Sequence, residues 1–330
     1  MRAILFTGRN ELDLTDLPDP RPGPGEVVVQ VRSSGICHTD IEVLRGNYGT
    51  SAFPVVPGHE YAGVVTEIGK GVDTIAPGDA VVVDPNIECG ACPACRRGWA
   101  HLCTGLQAYG VTRHGGFAEQ SVVKASAVHP IGDMPFDIAA LAEPVGCVLN
   151  GLGATRAEQA RNALIFGAGP IGLLLAVVLR ARGMTDVALV DLNEDRLALV
   201  ADLGFQPIAS GSTDLADREQ ATDLAIDATG VPAVAGQLIR YVANGGAGLF
   251  FGVCPSDARI DIAPFELFRR QITLAGSHSL NHNLPDALKT LDACRADAAR
   301  LVTHRLPLEE VRAVFAGHPA PGSLKIQATV

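Results

Sequence analysis

Ala163-Leu164-Ile165-Phe166-Gly167-Ala168-Gly169-Pro170-Ile171-Gly172 is a run of four apolar residues that leads directly into a glycine-rich turn. An apolar stretch with helical character follows, to about residue 182. Strand, glycine turn and helix in this order are typical of a dinucleotide-binding unit, whereas an isolated Gly-x-Gly-x-x-Gly is weak evidence. Gly167 permits the tight turn, Gly169 lets the backbone approach a pyrophosphate, and Gly172 lets the helix pack closely on the strand. The sequence therefore predicts a phosphate-binding helix N-terminus here.

The adenosine end of such a cofactor is predicted to lie at Asp191, where the second strand ends. A carboxylate there can accept hydrogen bonds from both ribose hydroxyls and would repel a 2′-phosphate. The next two residues carry no cation, so the pattern favours NAD over NADP. Arg196 either lies over the adenine or is an ordinary solvated helix charge. Pro170 and Ile171 suit the first helical turn beside the phosphates.

Apolar runs alternate with helical stretches along the second half of the chain. They occupy residues 163–166, 187–190, 224–226, 248–251 and 272–275. Near-continuous apolar strands of this kind are typical of a parallel sheet covered by helices on both faces. The first 130 residues instead contain short β-branched runs separated by Gly and Pro, at 26–31, 63–67, 80–84 and 120–124. The predicted fold class is α/β, with a β-rich domain and a doubly wound parallel-sheet domain.

Four cysteines, Cys89, Cys92, Cys95 and Cys103, follow the spacing CxxCxxCx7C. Four thiolates satisfy a tetrahedral Zn²⁺ completely, so this set predicts a structural site with no position for a substrate. Two disulfides are the alternative, but they are typical of small secreted domains. A chain of 330 residues can bury a large core without them. Zinc is the preferred interpretation.

Composition excludes several classes of function. Hydrophobic residues make up 47% and charged residues 19% of the chain, as in ordinary globular proteins. The net charge of −10 and the lack of a basic cluster argue against nucleic acid as a partner. No signal-peptide core and no apolar run of membrane-spanning length is evident, so we expect a cytoplasmic protein that does not bind membranes.

A second metal site is predicted from Cys37, His59, Glu60 and Glu143. Singly, each has a plainer interpretation: a small core residue, a satisfied polar group or a helix-start residue. Together they supply S, N and O donors for a zinc ion with an open coordination position. The two ligand sets lead us to expect one catalytic and one structural zinc ion per chain.

These motifs together resemble those of the zinc-containing medium-chain alcohol and polyol dehydrogenases, over the whole length of the chain. The resemblance is carried by Gly35-Ile36-Cys37-His38-Thr39-Asp40, by Gly58-His59-Glu60-Tyr61-Ala62-Gly63 with Gly69 and Val72, by the four-cysteine lobe, and by the glycine turn at 167–172. It implies a GroES-like catalytic domain at 1–148 with its zinc lobe at about 86–105, a Rossmann domain at 149–282, and a return to the catalytic domain at 283–330. The active site is expected between the two domains.

The third metal ligand distinguishes branches of this family. Alcohol dehydrogenases typically have a cysteine there, whereas the sorbitol and threonine dehydrogenase branches have Glu-Pro, as in Glu143-Pro144. The resemblance therefore places the chain nearer the polyol branch. Cys147, four residues after Glu143 and on the same face of a helix, is the competing ligand.

The implied reaction is transfer of a hydride from a secondary alcohol or polyol to NAD⁺, giving a ketone, with zinc lowering the pKa of the alcohol. Thr39 would accept the alcohol proton and Asp40 would orient His59. Glu60 would bind zinc directly, hold its water or exchange during turnover. Many relatives have a histidine where this chain has Glu42, so Glu42 or water would carry the proton out. Val253 and Ser277 are assigned to the cofactor site.

The substrate pocket departs from the sorbitol branch. Sorbitol dehydrogenases carry an Arg-Tyr pair after the last Rossmann strand, but residues 276–281 here read GSHSLN, so sorbitol itself is in doubt. Tyr48, Phe117 and His278 are candidate pocket residues, although packing is the commoner role for such side chains.

Four alternatives stay open for the function. The substrate could be an amino-cyclitol, a sugar phosphate, or a hydroxy amino acid such as threonine. The loss of the relay histidine would also suit an inactive zinc- and nucleotide-binding scaffold.

The apolar segment 272–275 predicts pairing of two sheets in a homodimer, or in a homotetramer built from it.

Overall fold

The computed structural model describes residues 1–48, 52–318 and 320–330. The chain divides into two compact units, one formed by Met1–Gly146 with Leu280–Val330 and the other by Cys147–Ser279. The boundaries expected from the sequence were 148/149 and 282/283. The predicted α/β fold class, with a β-rich domain and a parallel-sheet domain, is confirmed.

The N-terminal part of the first unit is rich in β-strands and has short helices. Its strands are β1 (Arg2–Gly8), β2 (Glu11–Asp16), β3 (Glu26–Gly35), β4 (Glu60–Ile68), β5 (Ala80–Val83), β6 (Asn86–Ile87), β7 (Gln107–Ala108), β8 (Gln120–Lys124) and β9 (Val128–Pro130). Its α-helices are α1 (His38–Arg45), α2 (Pro93–Arg96) and α3 (Phe136–Ala139), and 3₁₀ turns lie at Ala100–Leu102 and Ala125–Ala127. Helix α4 (Ala142–Ala154) follows.

The second unit contains the predicted parallel sheet. Its strands are β10 (Asn162–Phe166), β11 (Asp186–Asp191), β12 (Gln206–Ala209), β13 (Thr222–Asp227), β14 (Val242–Phe250) and β15 (Thr273–Gly276). The helices are α5 (Pro170–Ala181), α6 (Glu194–Asp202), α7 (Thr213–Ala216), α8 (Pro232–Ala235), α9 (Leu238–Tyr241) and α10 (Pro264–Arg270), with a 3₁₀ turn at Ala157–Gln159. All strand pairs are parallel, in the order β12-β11-β10-β13-β14-β15. This is the 3-2-1-4-5-6 order of the Rossmann fold.

From the sequence, one Ala- and Leu-rich helix after Pro285 and one short strand at 324–330 were expected in the C-terminal return. The return contains more structure than this. It consists of α11 (Leu284–Ala293), α12 (Arg295–Leu301), β16 (Val302–Pro307), α13 (Leu308–Phe315) and β17 (Lys325–Thr329). Strands β16 and β17 join the main sheet of the first unit, in the order β16-β17-β3-β4-β5-β9, with β8 also paired to β3. The amphipathic helix α13 buries Leu308, Val311 and Phe315, which pack in a core with Phe6 and Phe117.

Strand β3 explains how this sheet forms. Its sequence begins with a run of valines, and Val27, Val29 and Val31 alternate onto one buried face that packs with Tyr61 and Val65. Beta-branched residues suit a pleated, half-buried surface. The antiparallel register of β3 with β4 then places Gly35 opposite Glu60, which sets the position of the first functional site.

One helical stretch, 136–154, is long and apolar enough by composition to cross a membrane, and 67% of its apolar window is buried inside the protein. Core helices pass the same test, so the stretch is weak evidence for a membrane span.

Candidate metal and cofactor sites

Cys37 and His59 are brought together by the pairing of β3 with β4. Cys37 lies two residues after the end of β3 and is the N-cap residue of α1, while His59 immediately precedes β4. The cap is closed by Asp40, whose Oδ2 accepts a hydrogen bond of 2.8 Å from the Cys37 backbone N–H. Its Oδ1 accepts one of 3.2 Å from the backbone N–H of Gly58. Asp40 is fully buried and thus fixes both ligand segments.

Cys37, His59 and Glu60 form a compact group whose ligand atoms all lie within 4.8 Å of one another. His59 and Glu60 are buried, and the Nδ1 atom of His59 is 3.3 Å from Asp40 Oδ1 without a well-aligned hydrogen bond. A thiolate, an imidazole and a carboxylate form a donor set that suits zinc. The residues present therefore fit the predicted metal.

Lys325 is a member of this site that the sequence analysis missed. The side chain is buried, its Nζ forms an ion pair with Glu60 Oε2, and it donates a hydrogen bond of 2.9 Å to the carbonyl of Ile36. A Cβ atom at Gly35 would collide with both Glu60 Oε2 and the Lys325 side chain, so glycine there makes room for the pair. The lysine lies 265 residues beyond Glu60 in sequence, and only the pairing of β17 with β3 reveals the contact.

The charges of the site act strongly on His59 and Lys325. Burial opposes protonation of His59, but Asp40 and Cys37 outweigh it and raise the pKa of the imidazole well above its ordinary value. Burial likewise lowers the pKa of Lys325, yet the negative charges of Glu60, Cys37 and Glu143 produce a net rise. A field that favours a proton on these groups also favours a divalent cation among them.

Glu143 lies outside the compact group of Cys37, His59 and Glu60, although all four residues were predicted to bind one ion. Its side chain is buried in the first turn of α4, and its charge is felt at Lys325. Glu60, which was also predicted as a ligand, supplies the carboxylate of the compact group. Cys147 falls one helical turn after Glu143 on α4 and is not in that group either.

The two proposed proton carriers differ in their surroundings. Thr39 is half-buried in the first turn of α1. Glu42 accepts hydrogen bonds from Asn47 (3.1 Å) and Arg45 (2.9 Å), and the bond from Asn47 is the main cause of its lowered pKa. A carboxylate stabilised in this way is a poor proton acceptor near neutral pH.

The four predicted lobe cysteines also come together, with ligand atoms within 4.8 Å. They are free thiols, and Cys92 Sγ lies 3.4 Å from Cys95 Sγ, too far for a disulfide. Backbone N–H groups point at the sulfurs: Cys89 N is 3.3 Å and Gly105 N is 3.4 Å from Cys103 Sγ. N–H groups of this kind, first that of Cys95, lower the pKa of Cys92 to about 6. The set fits a four-thiolate metal ion and leaves it no open position.

The glycine turn has the geometry predicted for phosphate binding. Gly167 has φ of 101°, and a Cβ on Gly172 would collide with the carbonyl of Gly167. A Cβ on Gly169 would meet no protein atom closer than 3.9 Å, so the backbone there is open for approach by a ligand. Gly169 is the N-cap of α5 and Pro170 its first residue, which leaves free N–H groups at the turn.

Asp191 ends β11 and is tied to this turn. Its Oδ2 accepts a hydrogen bond of 2.7 Å from Ala168 N, and its Oδ1 accepts bonds from the next two backbone N–H groups. Arg196 Nη1 is 3.7 Å from Asp191 Oδ2, so the arginine is a neighbour of the predicted ribose carboxylate. Both interpretations of Arg196, a cofactor contact and a solvated helix charge, agree with this position, since its side chain is 46% exposed.

The remaining predicted residues are less uniform. Val253 is 90% exposed, Ser277 is half-buried in the loop after β15, and His278 and Tyr48 are exposed. Phe117 is fully buried and packs edge-on against Phe315, with ring centroids 5.2 Å apart. Its role is therefore core packing, which was the alternative to a pocket role.

Two family models match the chain. The alcohol dehydrogenase GroES-like domain covers residues 23–133, and the glucose dehydrogenase C-terminus covers residues 137–321. Among characterised proteins, the chain is 51% identical to D-altritol 5-dehydrogenase of Agrobacterium fabrum over 99% of both chains. It is 32% identical to L-threonine 3-dehydrogenase of Saccharopolyspora erythraea, over 93% of this chain and 92% of the relative.

A solved structure shares the whole fold. It is a provisionally assigned zinc-binding dehydrogenase from Sinorhizobium meliloti 1021, bound to NADP. The two chains are 29% identical and superpose with a TM-score of 0.94, over 100% of this chain and 99% of the other.

Proposed function

The chain belongs to the zinc-containing medium-chain alcohol and polyol dehydrogenases, and we propose that it oxidises a secondary carbinol of a polyol to a ketone, with NAD⁺ as hydride acceptor. The observation that carries the proposal is the compact group of Cys37, His59 and Glu60, in which the histidine and the glutamate are buried. A zinc ion held there would supply Lewis acidity that lowers the pKa of a substrate hydroxyl.

The residues around this group have separate roles. Asp40 orients His59 and closes the N-cap that carries Cys37. Lys325 balances the charge of Glu60 and controls the direction in which its carboxylate points. Thr39 is the proposed proton relay: its hydroxyl would accept the substrate hydroxyl proton while passing its own proton towards the cofactor ribose hydroxyls and solvent. Glu42 is less suited to this step, because its carboxylate is hydrogen-bonded to neighbours and its pKa is lowered. Glu143 supplies a second carboxylate at the edge of the site.

A substrate rich in hydroxyl groups fits this chemistry. A site with one thiolate and two nearby carboxylates is harder than a site with two cysteines and a histidine, so it favours oxygen ligands. Vicinal diols and polyols should therefore exceed simple primary alcohols in kcat/KM. The relative that acts on D-altritol makes that hexitol the first substrate to test.

NAD is the proposed cofactor, on the basis of Asp191. Its carboxylate would accept bonds from the ribose and repel a 2′-phosphate. Arg196 is the competing influence, because a guanidinium 3.7 Å from Asp191 could attract that phosphate. We expect Asp191→Ser to reduce the ratio of kcat/KM for NAD⁺ to that for NADP⁺. Equal values of kcat/KM for NAD⁺ and NADP⁺ in the parent protein would refute the assignment.

Two zinc ions per chain are proposed, one in each ligand group. Chelation should remove the ion held by Cys37 and His59 more readily, since four thiolates hold the other. Metal analysis of chelator-treated and untreated protein tests this: two ions falling to one is the expected result, and one ion or none before treatment would contradict it.

Homo-oligomerisation through β15 is proposed for the second unit. This strand ends the described sheet, so its outer N–H and C=O groups can pair with those of a second copy. The neighbouring helix α10 has the exposed rings of Phe265 (65%) and Phe268 (81%), apolar area that a partner would cover. Light scattering at micromolar concentration should give a dimer or a tetramer. We also propose that the enzyme is cytoplasmic.

Initial rates with NAD⁺ decide among the candidate substrates. The panel should contain D-altritol, other alditols, a vicinal diol, ethanol and L-threonine, because a threonine dehydrogenase relative supports that second candidate. We expect alditols to give the highest kcat/KM. A preference for threonine would establish the second candidate, and turnover of ethanol alone would exclude the polyol assignment. No turnover of any alcohol by metal-loaded protein that binds NADH would support the inactive scaffold.

A further inference from the structure

Residues 277–283 form the connection from β15 to α11, and four asparagine side chains hold this connection in place. In the second unit, Asn150 of α4 donates from Nδ2 to the carbonyls of His278 (3.2 Å) and Ser279 (2.9 Å). In the first unit, Asn86 Nδ2 donates to the carbonyl of Leu280 at 3.1 Å. Asn283 Nδ2 donates to the carbonyl of Gly146 at 2.8 Å. Hydrogen bonds from side-chain amides to backbone carbonyls thus hold the connection, which has no regular secondary structure.

The fourth asparagine, Asn281, binds the four-cysteine lobe. Its Nδ2 donates to the carbonyl of Gly98 at 2.9 Å, and its Oδ1 accepts from the backbone N–H of Ala100 at 3.2 Å. Both partners lie between the third and fourth cysteines of the lobe, in the segment whose path a metal ion would fix. Beside it, His282 Nε2 lies 3.4 Å from Glu88 Oε1, next to the first cysteine.

The backbone of the connection depends on these contacts. Ser279 and His282 adopt positive φ angles of 55° and 53°, a conformation that is costly for residues other than glycine. Such conformations persist only where the surroundings impose them. Asn281 stands between the two residues and is bound on both sides of its amide. Loss of its hydrogen bonds should therefore increase the mobility of the whole connection, residues 277–283.

We propose that the four-cysteine lobe serves the cofactor loop, with Asn281 as the positioning residue that links them. By holding Asn281, the lobe fixes the path of residues 277–279, which include Ser277, a residue that the sequence analysis assigned to the cofactor site. The metal of the lobe then affects cofactor affinity without contributing to the chemistry. The inference rests on the proposed binding of a nicotinamide dinucleotide.

Asn281→Ala is the direct test, and Asn162→Ala is its matched control. Asn162 forms the same pair of bonds at the other end of the cofactor-binding sheet: Nδ2 donates to Ala221 O at 3.2 Å and Oδ1 accepts from Asp223 N at 2.7 Å. Three quantities are measured in both variants: hydrogen exchange of residues 277–283, the Kd for NADH, and kcat at saturating NAD⁺.

We expect Asn281→Ala to speed exchange across 277–283 and to raise the Kd for NADH about fivefold, the effect of losing one or two ordinary hydrogen bonds. The value of kcat at saturation should stay within about twofold, because the reacting groups are untouched. Asn162→Ala should lower stability while leaving the NADH Kd and the exchange of 277–283 unchanged.

Cys89→Ser tests the lobe itself, with metal content measured on the same sample. It should speed exchange in 277–283 in the same way, and combining it with Asn281→Ala should add little, because both changes remove one linkage. An NADH Kd in Asn281→Ala equal to that of Asn162→Ala, or unchanged exchange at 277–279 in Cys89→Ser, would overturn the inference. If the parent protein fails to bind NADH, the proposed function fails first and the inference with it.

Discussion

The two candidate metal-ligand groups of this protein are built in opposite ways. The lobe takes its four cysteines from fifteen consecutive residues, 89–103, and three of them are at least partly exposed. The other group takes Cys37 from the start of a helix and His59 and Glu60 from the start of a strand, and its histidine and glutamate are buried. The first is therefore encoded locally, whereas the second exists only when the sheet of the first unit has formed.

Burial also changes what each group needs for stability. In the lobe, backbone N–H groups face the sulfurs and solvent is close. In the buried group, a negative carboxylate requires a cation, and Lys325 provides it. Substitutions in the group of Cys37, His59 and Glu60 should therefore lower turnover or leave a buried charge unpaired. Substitutions in the lobe should mainly disorder its local structure.

The largest effect is expected for His59→Ala. Removing this ligand should lower kcat/KM by about a thousandfold or more, because the metal contributes several kcal/mol of charge stabilisation. The far-UV circular dichroism spectrum should be unchanged. Steady-state kinetics on metal-saturated protein measure the loss. Turnover within tenfold of the parent would show that the buried group is not the reaction centre.

Lys325→Met should cost about 3–5 kcal/mol of the free energy of unfolding, since it leaves the Glu60 carboxylate buried without its cation. Denaturant unfolding of metal-free protein measures this. The double variant Lys325→Met/Glu60→Gln removes both charges and should recover most of the loss. Equal destabilisation in the single and double variants would mean that the ion pair is not the source of the effect.

Cys92→Ser should destabilise the protein by about 2 kcal/mol, within the usual range for a single substitution. It should also lower the zinc content by one ion per chain. The rate at saturating cofactor, measured at 25 °C, should stay within a few-fold of the parent, in contrast to His59→Ala. Loss of both zinc ions on this substitution would contradict the independence of the two groups.

The smallest effect concerns Asp84, a buried carboxylate that differs from Glu60 in having no ion pair among the described residues. Burial raises its pKa to about 6. The folded state therefore binds this proton more tightly than the unfolded state, so its stabilising contribution is lost as pH rises through 6. Between pH 5 and 7.5 the loss should be about 1 kcal/mol.

Asp84→Asn tests this assignment. It should retain the bond that Asp84 Oδ1 accepts from Asn86 N (2.9 Å) and flatten the decrease in stability above pH 5. Melting temperatures of both proteins across this pH interval provide the comparison. A parallel pH dependence in the variant would assign the titration to another group.

Features confined to short segments could be predicted well. The glycine turn at 167–172, the carboxylate that ends the second Rossmann strand and the CxxCxxCx7C lobe all depend on neighbours within about 25 residues, so spacing alone indicates their geometry. The C-terminal return was predicted less well. Helices α12 and α13 and strand β16 were not anticipated, because their amphipathic faces are defined by a sheet that lies elsewhere in the chain.

Long-range pairings decided the rest. The sequence by itself determined the family, the fold class, the residue types of both candidate metal groups and the carboxylate that ends the second Rossmann strand. Only the tertiary structure decided that Glu60 rather than Glu143 joins the compact group, that Lys325 is its cation, and that Phe117 packs in the core. The physical reason is that burial and charge pairing depend on strand register, here Gly35 opposite Glu60 and opposite Gln327, which brings together residues hundreds of positions apart.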